Sequence, residues 1–179
     1  MALLDWLKRV KKMTAGRLVE LVYLMLPAYL ANMAPPLVKY WRGWNRPISR
    51  RWLGDHKTVI GFALGVLVGV LATYVQSRIA WSRTLFTPSD WLAVGLAQGF
   101  GAMGGDALKS FFKRRRGIAP GQSWIPADQL DFPIGALLLL SYWIPLDWLD
   151  VVAILGMTFA GDVVVNHVAY RLGIRSTKW

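Results

Sequence analysis

Residues 58–77 contain no charged side chain until Arg78 closes the run. A helix needs ~20 apolar residues to cross a hydrocarbon core, so an unbroken run of that length reads as a membrane span. A second uncharged run, residues 21–38, follows Arg17 and Glu20. A third, about 88–112, carries Asp106 and Lys109 in its last turns, so its apolar part ends near Gly104. The fourth covers residues 132–146 and is short for a crossing; it is expected to begin at Asp128 and to end at Pro145, where a helix interior cannot continue. The fifth, about 148–170, is interrupted by Asp162, Asn166 and His167, residues that inside a span face protein or a cavity. Overall composition agrees: 55% of the 179 residues are hydrophobic and only 17% are charged, where a soluble domain needs about 25% charged.

The expectation is an all-α fold, an integral membrane bundle of about five transmembrane helices with cytoplasmic basic loops. Its spans fall at about 18–38, 58–78, 88–112, 128–146 and 148–170, in one membrane domain covering residues 1–179. The run 21–38 holds Pro27, Asn32, Pro35 and Pro36 and lacks a small-residue cleavage site, so it reads as a span and not as a cleaved leader. There is no cysteine, which removes disulfides, thiolate metal sites and cysteine nucleophiles from consideration.

Orientation follows from the basic links. Lys39, Arg42, Arg46, Arg50, Arg51 and Lys57 lie between the first two spans, and Lys113, Arg114, Arg115 and Arg116 follow the third. Both links are expected to face the cytoplasm, with Arg78 and Arg83 outside. Lys8, Arg9, Lys11 and Lys12 would then lie outside as well, in an amphipathic surface segment over residues 1–16. The net charge of +11 gathers where spans meet the cytoplasm, which suits anionic head groups or nucleotide phosphates better than a nucleic acid polymer.

Within residues 106–131, three carboxylates stand among five cations. Asp106, Lys109 or Ser110, and Lys113 share a helix face, and Asp128 and Asp131 share another. Carboxylates at the lipid boundary beside a cationic run invite Mg²⁺ and polyphosphate, because Mg²⁺ takes oxygen ligands and bridges one or two carboxylates to substrate phosphates. An internal ion-pair network is the competing reading. Upstream, Gly54-Asp55-His56-Lys57-Thr58 with Gly61 opens the second span, where backbone amides, Lys57 and the Thr58 hydroxyl suit an anion. The glycines 61, 65 and 69 recur every four residues, a spacing that lets helices approach closely.

Four stretches together resemble archaeal CDP-archaeol synthase: Pro27-Ala28-Tyr29-Leu30-Ala31-Asn32 with Pro35, residues 54–61, residues 105–131, and Asn166-His167-Val168-Ala169-Tyr170. That family is similar to the CDP-diacylglycerol synthases, whose Gly-Asp, Ser-x-x-Lys-Arg and Asp-Arg-x-Asp order is matched by Gly105-Asp106, Ser110-Phe111-Phe112-Lys113-Arg114 and Asp128-Gln129-Leu130-Asp131. Gln129 replaces their Arg, Ile118-Ala119 their Lys-Asp, and Gln122-Ser123-Trp124-Ile125 their Gly-His-Gly-Gly, departures that favour the archaeal branch. The resemblance implies transfer of CMP from CTP to 2,3-bis-O-(geranylgeranyl)-sn-glycerol 1-phosphate at the cytoplasmic face of the cell membrane. It also implies Mg²⁺ on Asp106, Asp128 and Asp131. Lys57, Lys109, Lys113, Arg114 and Arg115 would meet the triphosphate and Thr58 and Ser110 would assist. Asn32, Asn166 and His167 would line the nucleotide or lipid phosphate, with a structural hydrogen-bonding role equally open to His167, and Gly54, Gly61, Gly105 and Gln129 complete the binding set. Two rival readings remain: a CDP-alcohol phosphotransferase, whose Asp-Gly-x-x-Ala-Arg opening this sequence lacks, and a non-enzymatic anion channel or transporter, for which the repeated interrupted helices of some transporters are not found here.

The basic asymmetry makes a prediction that the absence of native cysteine renders easy to test. A cysteine introduced at Arg83 should be labelled from outside intact cells, while cysteines at Arg46 and Arg115 stay protected; the reverse pattern would contradict the orientation.

Overall fold

The computed structural model describes residues 13–38, 45–119 and 122–173. Lys8, Arg9, Lys11, Lys12, Lys39 and Arg42, with most of the expected amino-terminal surface segment, lie outside the described residues. The described residues form five long helices and one short one: α1 (Ala15–Met33), followed by a 3-10 turn at Pro35–Val38, α2 (Arg50–Leu53), α3 (Val59–Ile79), α4 (Trp91–Arg115), α5 (Ala127–Leu140) and α6 (Trp148–Arg171). Three stretches, Ala15–Val38, Val59–Ile79 and Trp148–Arg171, are long and apolar enough to cross a membrane. Helix α4 has the length, but its last turns are charged. Helix α5 is 14 residues, a rise of about 21 Å against a hydrocarbon core of about 30 Å.

One expected boundary moves. Helix α5 ends at Leu140 and not at Pro145, because the amides of Trp143 and Ile144 both turn back onto the Leu140 carbonyl and close the chain before the proline is reached.

Local chemistry explains the helix starts. The Thr14 and Thr58 hydroxyls accept from the amides of Arg17 and Gly61 at 3.2 and 3.1 Å, capping α1 and α3, and Asp147 and Asp150 form a capping box on α6. Pro27 lies inside α1 and has no N–H, so the carbonyl of Tyr23 loses its helical donor. Gln76 from α3 replaces that donor through Nε2 at 2.6 Å, and Gln98 from α4 accepts from the Ala28 amide at 3.2 Å. Both glutamines are buried, and each ties its own helix to the proline break in α1.

Helix α4 is central, packed on α1, α3 and α5. Glycine permits this: a Cβ on Gly99 would stand 2.8 Å from Val66 Cα, and one on Gly105 would stand 2.2 Å from the Asp131 carbonyl oxygen. The obstacles are backbone atoms, so the helices touch main chain to main chain. The glycine stripe 61, 65, 69 read from the sequence is buried on α3, and a Cβ on Gly69 would meet Gly99 Cα at 3.0 Å.

The bundle is apolar outside, with Val19, Leu71, Leu108, Leu138 and Val165 all more than half exposed, as a lipid-facing surface requires. Tyr142, Trp143 and Trp148 are exposed together around the α5–α6 link, an arrangement typical of a membrane interface. At that end, Arg17 Nη2 lies 2.6 Å from Asp150 Oδ2 and Arg83 Nε lies 3.6 Å from Glu20 Oε1. Arg46, in the link before α3, and Arg115, the last residue of α4, are at the opposite end.

Gly99→Ala should lower the melting temperature in detergent, an overpacking cost on the order of 1–3 kcal/mol. Gly156→Ala on α6, where a Cβ meets nothing within 4 Å, should hold or raise it, since leaving glycine in a helix interior costs about 0.5–1 kcal/mol relative to alanine. Equal melting temperatures would contradict the backbone contact between α3 and α4.

Candidate active site at the basic end of the bundle

The last turns of α4 carry Asp106, Lys109 and Lys113 on one face, and the first turns of α5 carry Asp128 and Asp131. The glycine contact between Gly105 and the Asp131 carbonyl sets these two faces against each other at close range. Lys109 is the hub: its Nζ stands 3.2 Å from Asp106 Oδ1, 3.2 Å from Asp128 Oδ1 and 2.8 Å from Asp131 Oδ2. Asp131 keeps only 4% side-chain exposure, and its Oδ1 accepts from the Phe132 amide at 2.7 Å.

Two more lysines complete the cluster from its flanks. Lys57 pairs with Asp106 Oδ2. Its link is pinned by the Ile48 amide donating to the Lys57 carbonyl at 2.8 Å and the Val59 amide donating to that of Arg46 at 3.0 Å. Lys113 reaches both oxygens of Asp128 at 3.0 Å and donates to the Gln122 carbonyl at 2.5 Å, while the Trp124 amide donates to Asp128 Oδ2 at 2.6 Å. Lys113 and Asp128 thus hold Gln122 and Trp124 of the α4–α5 link against the cluster.

Against Lys57 and Asp106 opens a cavity of about 470 Å³, lined also by Asn32, Pro35, Asn45, His56 and Thr58. Small-molecule sites run from roughly 300 to 1,000 Å³. A small recess continues it past Gly61, whose missing side chain matters: a Cβ there would stand 2.8 Å from Thr58 Oγ1 and 3.3 Å from Pro35 Cβ.

Asp106, Asp128, Asp131, Lys57, Lys109 and Lys113 are therefore joined in one network, with Asn32, Thr58, Gly61 and Gly105 beside it. Other candidates take different places. Ser110 Oγ donates to the Asp106 carbonyl of its own helix at 2.9 Å. Arg115 lies over the rings of Trp52 and Phe111, each 5.2 Å away, and Arg114 Nε is buried without a hydrogen-bond partner among the described residues. Gln129 is buried, and Gly54 serves the turn after α2 with a φ of 84°. Asn166 donates to Asp162 at 2.7 Å and His167 Nδ1 lies 2.8 Å from the Val163 carbonyl, one turn back on α6 in both cases; neither contact is to the lysine–carboxylate network. Asn45 and His56 line the cavity although the sequence reading did not select them. His56 lay inside the Gly54–Thr58 stretch already marked, whereas nothing local marks Asn45.

The donor set of the cluster is all oxygen and suits Mg²⁺, which takes one or two carboxylates and fills its shell with water and substrate phosphate. Among the described residues no three acidic or histidine side chains by themselves form a metal cage. The carboxylates close instead on the Lys109 ammonium.

Residues 15–179 match the family model described as CarS-like, CDP-archaeol synthase. The CDP-archaeol synthase of Methanospirillum hungatei is 39% identical over 169 residues, covering 87% of this chain and 100% of its own length. That of Sulfolobus acidocaldarius is 36% identical over 169 residues, covering 92% and 99%. A solved structure described as an intramembrane enzyme for archaeal membrane lipid biosynthesis superposes with a TM-score of 0.63 at 30% identity, over 81% of this chain and 91% of that one. The chain belongs to the CDP-archaeol synthase family.

Proposed function

We propose that this chain transfers CMP from CTP to 2,3-bis-O-(geranylgeranyl)-sn-glycerol 1-phosphate at the cytoplasmic face of the membrane, releasing pyrophosphate. The observation that carries the reading is the joining of Lys57, Asp106, Lys109, Asp131 and Asp128 into one ion-pair network, of which Lys57 and Asp106 line the cavity beside Asn32 and Thr58. Family membership makes the chain a CTP-dependent cytidylyltransferase, and the apolar exterior places it in a membrane.

The lipid phosphate is the nucleophile. It is already anionic near neutral pH, so no serine, cysteine or histidine base is needed, and catalysis reduces to in-line placement and charge neutralisation. One of its oxygens forms a bond to the α-phosphorus of CTP, the α–β bridging bond breaks, and its electron pair leaves with pyrophosphate. Lys57 faces the cavity and can exchange Asp106 for phosphate oxygens, with the Thr58 hydroxyl one residue away. Lys109 has three carboxylate partners and can give one up to an incoming phosphate while keeping the others. Mg²⁺, held by Asp106 with Asp128 or Asp131, would add neutralisation of the triphosphate charge. The cytoplasmic assignment rests on the basic links at this end of the bundle and on the cytosolic origin of CTP.

Purified protein given CTP labelled at the α-phosphate, Mg²⁺ and the unsaturated ether-lipid phosphate should move label into the lipid phase with one pyrophosphate per product; label that stays aqueous would overturn the reading. Lys57→Ala should weaken apparent CTP affinity about tenfold or more, because a charge-assisted hydrogen bond is worth ~1.5–3 kcal/mol. Unchanged affinity would confine Lys57 to its ion pair with Asp106.

A further inference from the structure

On the outer face of the α4–α5 pair lies a second depression, about 220 Å³ and almost wholly apolar, with walls that include Leu108 and Phe112 from α4 and Ile134 and Leu138 from α5. Leu108 and Leu138 are 57% and 69% exposed, so the groove opens on the exterior of the bundle, where the lipid chains are. Its form follows from glycine: Gly105 and Gly135 are part of the lining, and a Cβ on Gly135 would stand 2.1 Å from the Gly101 carbonyl oxygen. Two helices in backbone contact leave a narrow seam, and the large side chains on either side become its walls.

The same lining contains Lys109 and Asp131. Lys109 is bound to Asp106, which lines the polar cavity on the other side. The ion-pair network is thus a partition with a polar chamber against one side and a lipid-facing apolar groove against the other. The groove surface itself is apolar, and the paired charges of Lys109 and Asp131 lie at its inner edge, so an amphiphile seated there keeps its chain against Leu108, Phe112, Ile134 and Leu138 and brings its head group to the network.

We infer that the groove between α4 and α5 seats the glycerol-proximal part of one isoprenoid chain of the lipid substrate, with the lipid phosphate against Lys109 and the nucleotide entering from the opposite, polar chamber. This rests on the proposed cytidylyl transfer and adds the position of the acceptor. The lipid never leaves the bilayer in such an arrangement: its chain slides along the apolar seam while its phosphate meets the triphosphate across the network.

Filling the seam tests the assignment. In Ile134→Trp and Leu138→Trp, both at exposed positions, the ratio of KM for the geranylgeranyl substrate to KM for an analogue with two methyl ether groups in place of the chains should rise about tenfold, without a matching rise in the KM for CTP. Leu71→Trp, on the exposed face of α3 away from the groove, should keep the ratio. Independently of turnover, a lipid phosphate with a diazirine near its glycerol end should crosslink to α4 and α5 in the wild-type protein. Crosslinks confined to other helices, or a ratio unchanged in both groove variants, overturn the groove. Wild-type protein that crosslinks in the groove but releases no pyrophosphate with any lipid phosphate overturns the reaction and leaves the lipid site standing.

Discussion

Backbone contact between helices, possible only where glycine removes the side chain, is the constraint on which this molecule depends. Lipid offers helices little hydrophobic reason to associate, so packing and hydrogen bonds must hold the bundle. Gly69 and Gly99 bring α3 against α4, and Gly101, Gly105 and Gly135 bring α4 against α5. Because the second contact runs through the Asp131 carbonyl, the approach that packs the helices also sets the register of the charges. Asp106 and Lys109 face Asp128 and Asp131 for the same reason that α4 and α5 touch.

Burying three carboxylates and three ammonium groups beside a lipid phase is costly unless each charge is paired and hydrogen-bonded. Here the pairing is redundant. Lys109 has three acidic partners, and Asp128 has Lys109, Lys113 and the Trp124 amide. Redundancy suits a site that must receive highly charged substrates, since one partner can be exchanged for a phosphate without stranding the other. At the far end of the bundle, Arg17, Glu20, Arg83 and Asp150 form a network that clasps α1 and α6 and borders a separate polar depression.

Much of this was legible in the sequence because the signals are local. Apolar runs gave the long helices to within a few residues, and the spacing of Asp106 and Lys109 gave their shared face. The end of α5 was not legible, since Pro145 is a stronger local stop than the turn at residues 141–144 that precedes it. Nor was the central place of Lys109: its bonds to Asp128 and Asp131 cross between helices, and their register is set by Gly101, Gly105 and Gly135, which lie outside the 61, 65, 69 stripe marked for close packing. Gln76 and Gln98 were missed for a related reason. A glutamine in an apolar run looks tolerated, and only the three-dimensional position of Pro27 explains what Gln76 supplies to the Tyr23 carbonyl. Asn166 and His167 were marked as polar interruptions of a span, a sound signal of an interior position that does not by itself say which neighbour they serve.

The central claim is that the lysine–carboxylate network is there for the reaction and not merely to hold the helices together. Asp131→Asn decides this most directly, because asparagine keeps the size and one acceptor oxygen of the side chain while Lys109 retains Asp106 and Asp128. The rate of CDP-lipid formation and the melting temperature of that variant, followed across a Mg²⁺ titration, are expected to separate: turnover lost by orders of magnitude, melting within a few degrees of the wild-type protein. Near-normal turnover with a large fall in melting temperature, the mark of a broken structural ion pair costing about 3–5 kcal/mol, would contradict it.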